Sequence, residues 1–281
     1  MSSQTYTVHT NRQYPYRRRT RHSRRRRHRL PRTFLWLLVM CILFTALILG
    51  SNLFLGSGRS SSAGSACTQT LLVRLENEGY PESLISLLER NPETEEFVVN
   101  YKNYTGTPAR IDLSGEVTKG EIPLFLQWDE RWGYETYGDD FLAVTGCGPT
   151  CLSMVVCGLS GETEWNPYAV ACMAEEHGYY VDCAGTSWTL MSEGAESLGL
   201  EVVSVSFDAS SILAALKNGI PIICSMGPGD FTTSGHFIVL TGVAEDGTVT
   251  VNDPNSRVNS EKTWDVESLM GQMKNLWGYR W

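Results

Sequence analysis

The segment Gly146-Cys147-Gly148-Pro149-Thr150 has the residue types and spacing that most directly suggest reactive chemistry. Behind it, Cys151, Leu152, Val155, Val156 and Leu159 recur at helical spacing. A helix is therefore expected to start at Cys147 or Gly148, with Pro149 in the first turn, where its missing N–H costs nothing. A thiol at that place points its sulfur at the positive end of the helix dipole, which favours the thiolate. The flanking glycines would let a substrate backbone approach closely. A buried structural cysteine is the competing reading, and the Gly-Cys-Gly-Pro setting weighs against it.

A thiolate nucleophile needs a base, and beyond residue 33 the chain holds only two histidines, His177 and His236. His236 opens HFIVLTGV, an apolar run that reads as a buried strand after a loop containing Gly227, Gly229 and Gly235. His177 lies in MAEEHGYY, where a solvated or capping residue at a helix end is the ordinary explanation. Past the His236 strand, AEDGT signals a hairpin at Asp246-Gly247, and TVTVNDP returns toward it, ending at Asn252-Asp253-Pro254. A two-residue turn would set Asp253 opposite Leu240, so contact with His236 needs a longer loop or a bulge. Asp253 before Pro254 also suits plain turn chemistry. Together Cys147, His236 and Asp253 supply a nucleophile, a base and a carboxylate to orient that base.

Three elements must position these groups: the Cys147 helix, the His236 strand and its return strand. The expected class is α+β, a helical part carrying Cys147 facing an antiparallel sheet that carries His236 and Asp253, with the site in the cleft between. GTSW at 185–188 belongs to the connecting part and the apolar stretch 220–226 to the sheet. Residues 71–120 read as a helical lead-in: Leu71, Leu72 and Leu75, then Leu84, Ile85, Leu87 and Leu88, interrupted by Tyr80-Pro81 and stopped by Asn91-Pro92. Two short helices bury too little alone, so the lead-in should pack on the main domain.

Cysteines 67, 147, 151, 157, 172, 183 and 224 follow residue 56, an odd number that fits one free thiol plus three bridges. Cys151, Cys157 and Cys224 fit equally well as small buried hydrophobes, and Cys172 with Cys183 is the least implausible bridge. Cys147 and Cys151 stand four apart with no second Cys or His pair at zinc spacing, and thioester chemistry needs no metal or organic cofactor.

The formal charge of −8 joins two unlike parts, since residues 1–32 carry eleven Arg and no Lys, Asp or Glu, leaving −19 on the rest. Between them residues 34–55 are uncharged over 22 positions, long enough to cross about 30 Å of hydrocarbon as a helix. The arginines should stay cytoplasmic and the remainder be translocated, giving a retained single-pass anchor in the cell membrane with an extracellular main domain. A removed signal peptide competes, but the apolar run is longer than a signal core. The expected organisation is a basic tail at 1–32, a membrane helix at 33–55, a Gly/Ser-rich linker at 56–70, the lead-in at 71–120 and the main domain at 121–281. A charge of −19 should repel nucleic acid, so none is expected as a partner.

PLFLQWDERWGYETYG, GCGPTCLSMV, GTSW, GHFIVLTGV and VNDPNS occur in this order, and as a set they resemble the C-39-like peptidases. These are relatives of the papain-like cysteine endopeptidases that process bacteriocin leaders. The resemblance covers residues 122–281, and the lead-in resembles what precedes such domains in membrane-anchored clostridial members. It implies a papain-like fold, Cys147 as nucleophile, His236 as general base and acid, and Asp253 as orienting residue. It also implies Gln127 as an oxyanion donor beside the Cys147 backbone N–H, although twenty positions separate them, more than in the leader-processing enzymes. The implied activity is peptide-bond hydrolysis on peptide or protein substrates through a thioester, without a cofactor. A transglutaminase-like acyltransferase and a non-catalytic binding module on the same fold are the alternatives. Specificity for leader peptides does not transfer, because this domain stands on the other side of the membrane.

Overall fold

The structure is a computed structural model that describes residues 61–104, 106, 110–182 and 185–281. The basic tail, the apolar run at 34–55 and Cys183 lie outside the described residues. Among the described residues no helix is long and apolar enough to cross a membrane.

The lead-in consists of α1 (Ser61–Asn77), α2 (Glu82–Arg90) and α3 (Glu95–Asn100), with a helical turn at Pro92–Thr94. Helix α1 begins inside the stretch expected to be linker, because extending a helix already nucleated at Leu71–Leu75 costs little even through Ser and Ala. In α2, Leu84, Leu87 and Leu88 form a buried stripe at i, i+3 and i+4. The helix stops at Asn91, whose side chain accepts from the Glu93 N–H and so caps the turn that Pro92 opens. Leu84, Leu88, Phe97 and Val98 share one apolar cluster with Tyr134 and Ala143 of the main domain. Phe97 and Tyr134 stack at 4.3 Å, and the Tyr134 hydroxyl donates to Phe97 O at 2.6 Å. The lead-in thus packs on the main domain as expected.

Helix α4 (Cys147–Ser160) starts where the sequence places it. Every residue from Gly148 to Gly158 is buried, as befits a helix apolar all round, and Gly161 ends it at φ 80°, a left-handed conformation glycine adopts without strain. Helix α5 (Pro167–Glu176) packs beside it, capped by Asn166.

The sheet has six strands: β1 (Glu201–Val203), β2 (Ile222–Met226), β3 (His236–Val243), β4 (Val249–Asn252), β5 (Thr263–Trp264) and β6 (Met273–Arg280). All neighbours are antiparallel in the order β1-β6-β2-β3-β4-β5. Ile223, Phe237, Val239 and Tyr279 meet α4 and α5 on one face. Ile222, Cys224, Ile238, Leu240 and Val251 meet α6 (Ala209–Lys217) and α7 (Val266–Met270) on the other. The α+β class holds, with helices on both faces of the sheet where the sequence led us to expect one helical part. That is why β2 is buried at every position.

The β3–β4 hairpin departs from a two-residue turn at Asp246-Gly247. The Gly247 N–H bonds to Ala244 O, and the Ala244 N–H to Thr248 O, so three residues form the loop and Gly247 takes the left-handed position at φ 88°. A bulge between Leu240 and Gly242 shifts the register once more, leaving Val239 opposite Asn252. The sequence required a longer loop or a bulge, and both are present.

Candidate active site

Cys147 is the first residue of α4 and is partly exposed, whereas His236, the first residue of β3, is buried. Asp253 follows β4 directly and is 1% exposed. His236 Nε2 lies 2.7 Å from Asp253 Oδ1, and Cys147 is close enough to the imidazole to act on its ionisation. The histidine thus neighbours both the thiol and the carboxylate. Burial alone would pull the imidazole toward neutrality, but the charge and hydrogen bond of Asp253, with those of Cys147, outweigh it and raise its pKa. For Asp253, burial works toward protonation and is outweighed by the His236 charge and hydrogen bond and by bonds from Asn259 and the Asn255 N–H, so its pKa is lowered.

Asp253 is held from several directions. Its Oδ1 also accepts from Asn255 N at 2.9 Å, its Oδ2 accepts from Asn259 Nδ2 at 2.9 Å, and its own N–H donates to Ser260 Oγ at 2.9 Å. The VNDPNSRVNS stretch is turn chemistry and a carboxylate cradle at once. Sequence reasoning missed Asn259, because an Asn in a Ser/Asn-rich turn carries no local mark of the carboxylate it will face.

Gln127 is buried and lines the same cavity as Cys147 and His236. Its Nε2 donates to Ala143 O at 2.7 Å with a longer contact to Val144 O at 3.5 Å, while its Oε1 is buried without a hydrogen-bond partner among the described residues. Its backbone N–H bonds to Pro254 O at 2.7 Å, tying it to the residue after Asp253. The structure therefore brings Gln127 to the site along with Cys147, His236 and Asp253. His177 stays out: it caps α5, with Nδ1 2.9 Å from Met173 O, and stacks on Tyr179.

The glycines beside Cys147 serve packing within the protein. A Cβ on Gly146 would come within 2.5 Å of Leu142 O, and one on Gly148 within 2.6 Å of the Thr186 side chain. Cys147, Cys151, Cys157, Cys172 and Cys224 are free thiols, so the count of three bridges fails. Cys151, Cys157 and Cys224 are the buried hydrophobes of the alternative reading, and burial raises the pKa of each.

Two cavities, of about 410 and 580 Å³, meet at Cys147 and His236. The first is walled by the loop from Gly229 to Gly235 and by Leu87 and Arg90 of the lead-in. The second is walled by Asp139, Asp140, Tyr180 and Trp188. A chain laid across both would pass over the thiol.

The sequence model of the Peptidase_C39 like family matches residues 119–280. The chain belongs to this family. No curated protein matches it. Within this Peptidase_C39-like chain the matched segment contains Cys147, His236, Asp253 and Gln127, and leaves out α1, α2 and α3, two of whose residues wall the first cavity. The family is one of papain-type cysteine peptidases, which implies a peptide or protein substrate.

Proposed function

We propose that this protein is a cysteine peptidase that hydrolyses peptide bonds through a thioester on Cys147. The observation that carries the reading is His236 hydrogen-bonded to Asp253 and lining the same cleft as Cys147, in a chain of the Peptidase_C39 like family. Cys147 attacks the scissile carbonyl as thiolate, and His236, charged as imidazolium by that ionisation, gives its proton to the leaving amine. Water then attacks the thioester with His236 taking its proton, releasing the acid and restoring the thiolate. The tetrahedral oxyanion of each step is held by the Cys147 backbone N–H, which has no partner within its own helix, and by Gln127 Nε2. An amide nitrogen carries two protons; Ala143 O takes one of those on Gln127 at 2.7 Å, and the 3.5 Å contact to Val144 O is long enough to give way to an oxyanion.

In this proposal residues 34–55 anchor the chain and the arginines of 1–32 hold its N-terminus in the cytoplasm, so the substrates are peptides or proteins at the outer surface. Support comes from the uncharged run of 22 residues and the eleven arginines before it. Mapping of new N-termini on surface proteins in cells carrying the wild type or Cys147→Ala tests the reading. Termini that vanish in the variant are expected; identical maps would refute a peptidase acting there, and amine adducts on glutamine in their place would mark an acyltransferase.

A further inference from the structure

The turn after Asp253 is held from outside the family-matched segment. Glu93, in the helical turn of the lead-in, accepts at Oε1 from Ser256 Oγ at 2.5 Å and at Oε2 from the backbone N–H groups of Arg257 at 2.8 Å and Val258 at 3.3 Å. Asn91 Nδ2 donates to Asn255 O at 2.5 Å, an oxygen that also accepts from Trp128 Nε1 at 3.0 Å. From Ser256 the chain of bonds runs inward. Ser256 Oγ accepts from the Asn259 N–H at 3.1 Å, and Asn259 Nδ2 donates to Asp253 Oδ2 at 2.9 Å. A carboxylate some 160 residues upstream is thus connected through two side chains to the one that faces His236.

We infer that Glu93 is a positioning residue for the reaction: it fixes the Ser256–Asn259 turn, and through Asn259 the orientation of Asp253. The lead-in is then part of the working site and more than a spacer between membrane and enzyme. The inference rests on the proposed roles of Cys147, His236 and Asp253. Glu93 touches neither the thiol nor the imidazole, so its effect must pass through the Asp253–His236 bond. When Asp253 is free to turn away, the imidazolium loses its counter-charge and the neutral thiol–imidazole pair gains over the ion pair. The titratable and charged groups facing His236 are Cys147 and Asp253, with Arg90 and Asp230 lining the cleft on one side and Asp139, Asp140 and Tyr180 on the other; Glu93 is not among them.

The test is the pH dependence of Cys147 alkylation by iodoacetamide in the full chain, followed on the Cys147 peptide by mass spectrometry. Wild type, Glu93→Ala, Glu93→Gln and His236→Ala are compared, with a melting curve for each. Wild type is expected to label at lower pH than His236→Ala, and Glu93→Ala to have its midpoint raised by about one pH unit, the scale of one lost charge-assisted hydrogen bond. Glu93→Gln keeps one acceptor oxygen and should fall between them; it carries the test if the alanine variant does not fold. A wild-type midpoint in the folded Glu93 variants, beside a displaced one in His236→Ala, overturns the inference alone. Equal midpoints for wild type and His236→Ala overturn the reading beneath it.

Discussion

His236 Nε2 and Asp253 Oδ1 meet at 2.7 Å although the residues are 17 apart and do not face each other across the hairpin. The Val239–Asn252 pairing, continued by one residue, would bring Asp253 opposite Ile238, two positions from His236. A diagonal step of that size is within reach of an imidazole and a carboxylate. Each departure from a tight hairpin, the three-residue loop and the bulge at Thr241, moves the register by one residue toward that contact.

The pair makes stability depend on pH in a defined sense. The raised His236 value means its contribution is complete below the ordinary imidazole value of 6.5 and is lost as pH rises through the folded value. The lowered Asp253 value means its contribution is complete above the ordinary 3.8 and is lost as pH falls through the folded value. Asp253→Asn should therefore cost about 1–3 kcal/mol between roughly pH 4 and pH 6.5, and less at alkaline pH. Melting temperatures of the two proteins across that range check this; a constant difference would contradict it.

Gln127→Ala separates a donor to the reacting oxygen from a merely buried amide. Alkylation by iodoacetamide forms no oxyanion, so its rate at Cys147 should be unchanged, while peptide cleavage falls by about 10²-fold. Equal losses in both assays would mean that Gln127 only packs the site.

Phe97→Ala should destabilise the whole folded unit. Phe97 is 2% exposed and stacks on Tyr134, so its removal should cost about 3–5 kcal/mol. Because the cluster spans lead-in and main domain, one unfolding transition shifted to lower temperature is expected in calorimetry. Early loss of the lead-in with an unshifted main transition would count against this coupling.

The start of α4 was legible because Gly and Pro mark helix ends locally, and His236 because an apolar strand and a short supply of histidines left little choice. Asp253 was legible only conditionally, since its contact depends on a bulge at Thr241 that an alternating strand does not announce. Asn259 and Glu93 were illegible. The Asn259–Asp253 bond closes an irregular turn six residues long, and the bonds of Glu93 to the Ser256–Val258 turn span some 160 residues, so neither leaves a periodic trace. The helices behind the sheet were overlooked for a related reason: the apolar residues of α6 show that it buries a face, but not against which side.

The central claim is that Cys147 cuts peptide bonds with His236 as its proton carrier. Mass-spectrometric mapping of new N-termini in a synthetic peptide library, after incubation with purified wild type, Cys147→Ala and His236→Ala proteins of matched folded content, tests it most directly. The account predicts new termini with the wild type and none above background with either variant. Undiminished cleavage by Cys147→Ala, or no cleavage by a wild type whose Cys147 is free and alkylated by iodoacetamide, would contradict it.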